Sequence, residues 1–185
     1  MKTTLPEPEK GIETHQGHHP LSVQSPIPNP ETKTEAQHRL ETMIAEHPFF
    51  KGMDSRHLKP LSESAMLTEF VENQLIVRAG DIANRFYLIL EGKVALESSN
   101  EESGTIAIQT LEPGDELGWS WMFLPYHWHF DARALSATKA LFFYGTQIRE
   151  HCEEDHDLGY ELMKRITQVL VRRLEATTGH LLSHH

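Results

Sequence analysis

The spacing of apolar positions changes character twice along the chain. Between residues 35 and 47, Ala36, Leu40, Met43, Ile44 and His47 recur every three or four positions, which is one face of a helix. That spacing predicts a helix from Thr34 or Glu35 that stops at Pro48, because the residue before a proline is pushed out of the α region. Phe49 and Phe50 are expected to pack under whatever follows. A second helix is predicted after Asp54 or Ser55, carrying Leu58 and Leu61. Pro60 removes a backbone donor within it, so it is expected to be short or broken. From Leu67 the pattern becomes that of strands. The candidates are Leu75–Arg78, Arg85–Leu90, Lys93–Glu97, Thr105–Thr110, Ala132–Ala137 and Ala140–Tyr144, each short and rich in β-branched or aromatic residues. The joints Ala79-Gly80-Asp81, Glu91-Gly92-Lys93 and Pro113-Gly114-Asp115 have turn chemistry. Strands this short and this closely spaced predict an all-β sandwich or barrel, and no alternation with long helices supports a doubly wound sheet.

The helical period returns over Asp157–Leu182. Leu158, Leu162, Ile166, Val169, Leu170, Leu174 and Leu181 form a stripe, and Met163 and Val171 are expected to widen it. At 1.5 Å per residue such a helix is about 40 Å long, more than a small barrel covers. Part of the stripe is therefore expected to pack on a second copy, giving a homodimer through the 157–182 helix. The simpler alternative is a helix lying across its own domain. Asp155 and Asp157 suit the start of this helix, where negative charge meets the positive end of the dipole.

Composition sorts the rest. Residues 1–34 hold six of the ten prolines, no aromatic residue and no apolar period, so they read as a disordered Pro- and His-containing tail. The chain then divides into N-terminal helices (35–66), a β domain (67–145) and C-terminal helices (146–185). The single cysteine, Cys152, excludes a disulfide framework and a four-cysteine cluster within one chain. No run of 18 apolar residues exists and no secretory signal is present, so no membrane partner is expected and the cytoplasm is the default location. Of the net charge of −10, residues 37–156 carry −9. An acidic body repels a phosphate backbone, so direct nucleic-acid binding is not expected.

Four segments in order carry a resemblance: Arg78-Ala79-Gly80-Asp81, then Phe86 to Val94, then Leu111-Glu112-Pro113-Gly114-Asp115-Glu116-Leu117-Gly118, then Ala132-Arg133-Ala134-Leu135. Over residues 45–182 the chain resembles the cyclic nucleotide-binding domain of the catabolite activator and fumarate–nitrate regulator superfamily. The resemblance implies a mainly β fold: a β jelly roll (double-stranded β-helix) flanked by N-terminal helices and a long C-terminal dimer helix. It also implies a phosphate-binding cassette opening at Gly118, with a glutamate after the glycine for the ribose hydroxyl and, further on, an arginine followed by a small hydroxyl residue for the phosphate. This chain departs from that pattern. Trp119 stands at the glutamate position, Trp128 at the arginine position and His129 at the hydroxyl position. All three tryptophans lie within residues 119–131. A charge-assisted bond to phosphate contributes about 1.5–3 kcal/mol, so binding of cyclic AMP or cyclic GMP in the family's manner is not expected.

Three readings of the aromatic segment follow. The tryptophans fill the vacated pocket as a plug. They form an exposed surface that docks a partner protein or multi-subunit enzyme. Or they line a remodelled pocket for a small effector, with Gly118, Trp119, Ser120, Trp121, Trp128, His127, His129 and Arg133 around it. The first two are preferred. The chain is thus read as a non-enzymatic regulatory or accessory module with no cofactor, the alternatives being an allosteric small-molecule sensor or a relative of the transcription regulators without their helix-turn-helix, since the sequence stops at His185. His127 with His129, Cys152 with His156, and His151 with Asp155 have spacings that begin metal sites, but no four-ligand set forms. Haem ligation has no signal beyond the presence of histidines. No hydrolase, nucleotide-triphosphate or dinucleotide motif occurs, so enzyme chemistry has no positive support.

Overall fold

The computed structural model describes residues 30–100 and 104–182. In chain order it contains α1 (Pro30–Glu46), α2 (Ser55–Ser64), β1 (Met66–Phe70), β2 (Leu75–Val77), β3 (Arg85–Glu91), β4 (Val94–Asn100), β5 (Gly104–Leu111), β6 (Glu116–Leu117), β7 (Asp131–Ala134), β8 (Thr138–Tyr144), α3 (Gly145–Glu154) and α4 (His156–Leu182). The tail expected over 1–34 lies, up to residue 29, outside the described residues. Helix α1 begins at Pro30, ahead of the expected Thr34, with proline at the first helical position, where its missing N–H costs nothing. Helix α2 passes through Pro60 unbroken. Its start is fixed by Asp54, whose side chain accepts from the backbone N–H of Arg56.

The eight strands form two antiparallel four-stranded sheets, β1-β8-β3-β6 and β2-β7-β4-β5, the jelly roll implied by the resemblance. The first sheet separates two hydrophobic cores. Along β3, Phe86 and Leu88 face the helices while Tyr87 and Ile89 face the barrel interior; along β8, Leu141 and Phe143 face the helices while Ala140 and Phe142 face inward. Burial on both faces explains why these strands read as continuous apolar runs. The helical core gathers Ile44, Phe49, Phe50, Leu61, Ile148, Leu158, Leu162, Ile166 and Val169 against that sheet, as expected for Phe49 and Phe50. The barrel core gathers Val77, Val94, Leu96, Leu111, Leu117 and Ala132.

Two expectations about the C-terminal helices are corrected. The helical segment breaks at Asp155, so Cys152 and His151 belong to α3 while His156 begins α4, and neither i,i+4 pair shares one helix. The break is made by Asp155 itself. One carboxylate oxygen accepts from the backbone N–H groups of Asp157 and Leu158 and caps α4, while the other lies 3.3 Å from Nε2 of the buried His57 on α2. Along α4, Met163 and Val171 do not widen the buried stripe. With Tyr160 and Leu174 they are exposed, and at about 100° per residue these four fall on the face opposite Leu158, Leu162, Ile166 and Val169. The helix therefore has two apolar faces, one covered by its own domain.

Candidate functional site

The segment 118–131 joins β6 to β7 and carries the tryptophans. Gly118 opens it at φ +99°, a backbone conformation that side chains disfavour. A Cβ there would lie 2.6 Å from Cη2 and 2.8 Å from Cζ3 of Trp128 and 3.1 Å from the carbonyl oxygen of Arg85. The glycine thus makes room for an indole. Trp128 is held from the other side by backbone pairing: its N–H donates to the Asp81 carbonyl, its carbonyl accepts from Gly80, and Ile82 and His127 form an antiparallel bridge. Alternation then turns His127 outward and Trp128 into the barrel core, where it is 7% exposed. The cavity left beside it, reached by Gly118, Ser120, His129 and Arg173, has a volume of about 20 Å³. That holds about one water molecule, whereas sites for drug-sized ligands begin near 300 Å³.

Trp121 goes elsewhere. It is fully buried in the helical core, with its ring 5.9 Å from that of Phe86, and its indole N–H has no hydrogen-bond partner. It fits there because α3 begins with glycine: a Cβ on Gly145 would stand 2.7 Å from Cβ of Trp121. Arg149 of α3 donates to the Trp121 carbonyl and stacks on Tyr126, 4.4 Å from the ring centroid. Trp119 is half-buried between His129 (4.6 Å) and Phe123 (6.4 Å), and Ser120 Oγ lies 3.0 Å from His129 Nδ1. Leu124 at the tip is 80% exposed.

The residues grouped in the sequence therefore separate. Gly118, Ser120, Trp128 and His129 meet at the small cavity, with Trp119 at its rim. Trp121 lies on the opposite side of the sheet. Arg133 faces away, because Ala132 and Ala134 point inward; its Nε donates to Glu97 Oε2 and its Nη1 to the Asn73 carbonyl. Sequence reasoning missed Glu116 and Arg173. Arg173 of α4 donates from Nη2 to both the carbonyl and Oε1 of Glu116, each at 2.6 Å, two residues before the cassette glycine. Burial raises the Glu116 carboxyl above the ordinary carboxylate range, against the opposing pull of Arg173. A pair 57 residues apart leaves no local signal. Among the described residues no cluster of three or more metal-ligating groups forms. Burial, with Glu153 and Asp155 nearby, pushes the Cys152 thiol up to about 11, a poor state for a thiolate ligand. Among the described residues no helix is long and apolar enough to cross a membrane.

Comparison with known proteins agrees with this architecture. Residues 67–155 match the family profile of the cyclic nucleotide-binding domain. Over 76 residues, 41% of this chain, the sequence is 36% identical to cyclic nucleotide-gated ion channel 2 of Arabidopsis thaliana, of which it spans only 10%. A Geobacter metallireducens protein described as cyclic nucleotide-binding superimposes with a TM-score of 0.64 at 26% identity, covering 75% of this chain and 98% of that one. The regulatory subunit of a cAMP-independent protein kinase A from Trypanosoma brucei superimposes with a TM-score of 0.61 at 19% identity, covering 74% of this chain and 49% of that one. Residues 67–155 are a cyclic nucleotide-binding domain, a regulatory rather than a catalytic class, folded as the jelly roll of that family.

Proposed function

We propose that this chain is a regulatory module whose cyclic nucleotide site is filled by its own Trp128, and that it works through protein contacts rather than through cyclic AMP or cyclic GMP. The observation that carries this reading is the 7%-exposed indole in the barrel core, beside a residual cavity of about 20 Å³. A nucleotide would have to expel that ring and would then meet neither the glutamate nor the arginine of the family pattern. Each missing charge-assisted bond costs about 1.5–3 kcal/mol, and the phosphate would be desolvated without compensation. Arg173 does not replace the arginine, since it is engaged by Glu116.

Two surfaces suit protein contacts. The outward face of α4 presents Tyr160, Met163, Val171 and Leu174, and a second copy of the chain, meeting it helix to helix, forms the homodimer. At the other end, the tip of the aromatic segment and the paired loop expose Leu124 and Ile82, and a partner protein or a larger enzyme docks there. The module itself performs no chemistry. The T. brucei protein, the regulatory subunit of a kinase described as cAMP-independent, shares this fold. Isothermal titration of the purified chain with cyclic AMP and with cyclic GMP is expected to give no binding heat. Micromolar binding of either nucleotide overturns the proposal.

A further inference from the structure

Between the two apolar faces of α4 runs a polar strip. Asp157, Glu161, Lys164 and Gln168 stand three or four positions apart and share one side of the helix. The strip faces the turn that joins α1 to α2, which reverses at Gly52 with φ +75°. Arg165 ties the two together, donating from Nη1 to the carbonyls of Phe49 and Lys51. Between them lies a groove of about 620 Å³, lined also by Lys51, Arg56, His57 and Tyr160. That volume falls within the range of small-molecule sites, roughly 300–1,000 Å³. The groove shares no lining residue with the small cavity beside Trp128.

The charges along this groove are nearly matched. Arg56 lies 3.5 Å from Asp54 and 3.4 Å from Asp157, and Glu161 pairs with Lys164 at 2.5 Å and with Arg165 at 3.8 Å. Lys51 has no ion pair among the described residues. Four cations therefore meet three carboxylates, a surplus of one positive charge on a chain of net charge −10. Two lining residues also carry buried nitrogens without hydrogen-bond partners. They are Arg165, through Nε, and His57, through both ring nitrogens, and the His57 side chain is only 3% exposed. Its Nε2 stands 3.3 Å from Asp155 Oδ2 but is not aligned to bond it. Lysine and arginine nitrogens only donate, and a buried donor left unmet is costly. Unmet donors beside a surplus cation suit an oxyanion. From this geometry we propose that the groove between the α1–α2 turn and α4 binds a small polyhydroxylated metabolite through its carboxylate or phosphate. Lys51 and Arg165 take the oxyanion. His57 meets a hydroxyl, which both donates and accepts as a neutral imidazole does. The carboxylates of Asp54, Asp157 and Glu161 accept from the remaining hydroxyls. The site is independent of whether Trp128 fills the barrel.

Thermal unfolding and calorimetry of the full chain test the site with matched probes. Glycerophosphate and glucose phosphate form the phosphate arm, and glycerate and gluconate the carboxylate arm. Glycerol, glucose and sodium chloride at equal ionic strength are the controls. At least one arm is expected to raise the thermal midpoint and to saturate below about 10 mM, because a ligand that binds only the folded chain stabilises it. The arm that binds identifies the oxyanion. Lys51→Glu, at an exposed position, is expected to weaken that binding at least about tenfold, the loss of one charge-assisted contact. Lys59→Glu changes the net charge equally at an exposed position of α2 outside the groove lining, and is expected to leave the affinity within about twofold. The site is overturned if no probe binds saturably, if sodium chloride reproduces the shift, or if the two lysine reversals weaken binding equally. A cyclic AMP titration reads the barrel alone and does not bear on this result.

Discussion

Trp128 fills a space that a side chain on Gly118 would contest, so the two positions test one contact from opposite ends. Trp128→Ala is expected to cost about 3–5 kcal/mol, the range for deleting a large buried ring that its surroundings cannot replace. The indole-shaped void it leaves is lined by Leu96, Leu117 and the cassette backbone. Adding free indole to that variant is expected to raise its thermal midpoint while leaving wild type unchanged, and a flat response would mean that the void collapses rather than persists. Gly118→Ala meets both a left-handed backbone and the ring at 2.6 Å, and is expected to lose about 1–3 kcal/mol by calorimetric or denaturant unfolding. The family resemblance read from the sequence puts indoles at Trp119 and Trp128 where the family pattern has an acid and a cation. It does not show that Trp121 crosses to the other face of the sheet, because direction within an irregular loop depends on the backbone bonds to Gly80, Asp81 and Ala83, and periodicity carries no information about them.

Among the elements, α4 is tied to the domain by polar contacts that include the Asp155 cap facing His57, Arg56 on Asp157, the Arg165 guanidinium donating to the carbonyls of Phe49 and Lys51, and Arg173 on Glu116. The last is the most informative to cut. Arg173→Ala strands a buried carboxylate, which costs about 3–5 kcal/mol for a buried pair broken on one side. The sign of its pH dependence follows from Glu116, whose carboxyl already titrates above the ordinary value of 4.5 because of burial. Removing the guanidinium raises it further. A carboxyl raised in the fold favours folding when protonated, and that advantage is lost as pH rises through the folded value. Denaturant unfolding is therefore expected to show a large deficit for Arg173→Ala at pH 7 and a much smaller one near pH 4. At the other end, Asp155 titrates below its ordinary 3.8 through the backbone N–H of Leu158 first, with His57 and the Asp157 N–H also contributing. Asp155→Asn is expected to lower the thermal midpoint at neutral pH, and the difference from wild type shrinks as pH falls through that lowered value. The helix itself was legible from its period, as were α1 and six of the eight strands. The two-residue β6 was not, since Glu116–Leu117 is too short to carry alternation, and Glu116 is an acid at a position where burial is decided by Arg173 far along the chain.

For the whole molecule, the question is why α4 carries apolar side chains on two opposite faces. One face closes the helical core. The other exposes Tyr160, Met163, Val171 and Leu174 along a seam, beside which Glu161 pairs within the helix with Lys164 and Arg165. Listing every three- or four-residue step as one stripe merges the two faces, because steps such as Leu170 to Leu174 carry the list round the helix, whereas position at 100° per residue separates them. The two faces separate once Leu158, Leu162, Ile166 and Val169 are seen to be buried while the seam stays open. An open apolar seam about four turns long on a net acidic chain is tolerated poorly by a monomer. Pairing it with its own copy places identical residues across a two-fold axis, so one substitution acts twice in the dimer and not at all on the fold of the single chain. Leu174→Glu, at 67% exposed, is accordingly expected to convert a sedimenting dimer into a monomer while changing the thermal midpoint of the dilute chain little. A chain that already sediments as a monomer, or a Leu174→Glu variant that remains dimeric, would assign the seam to some other partner.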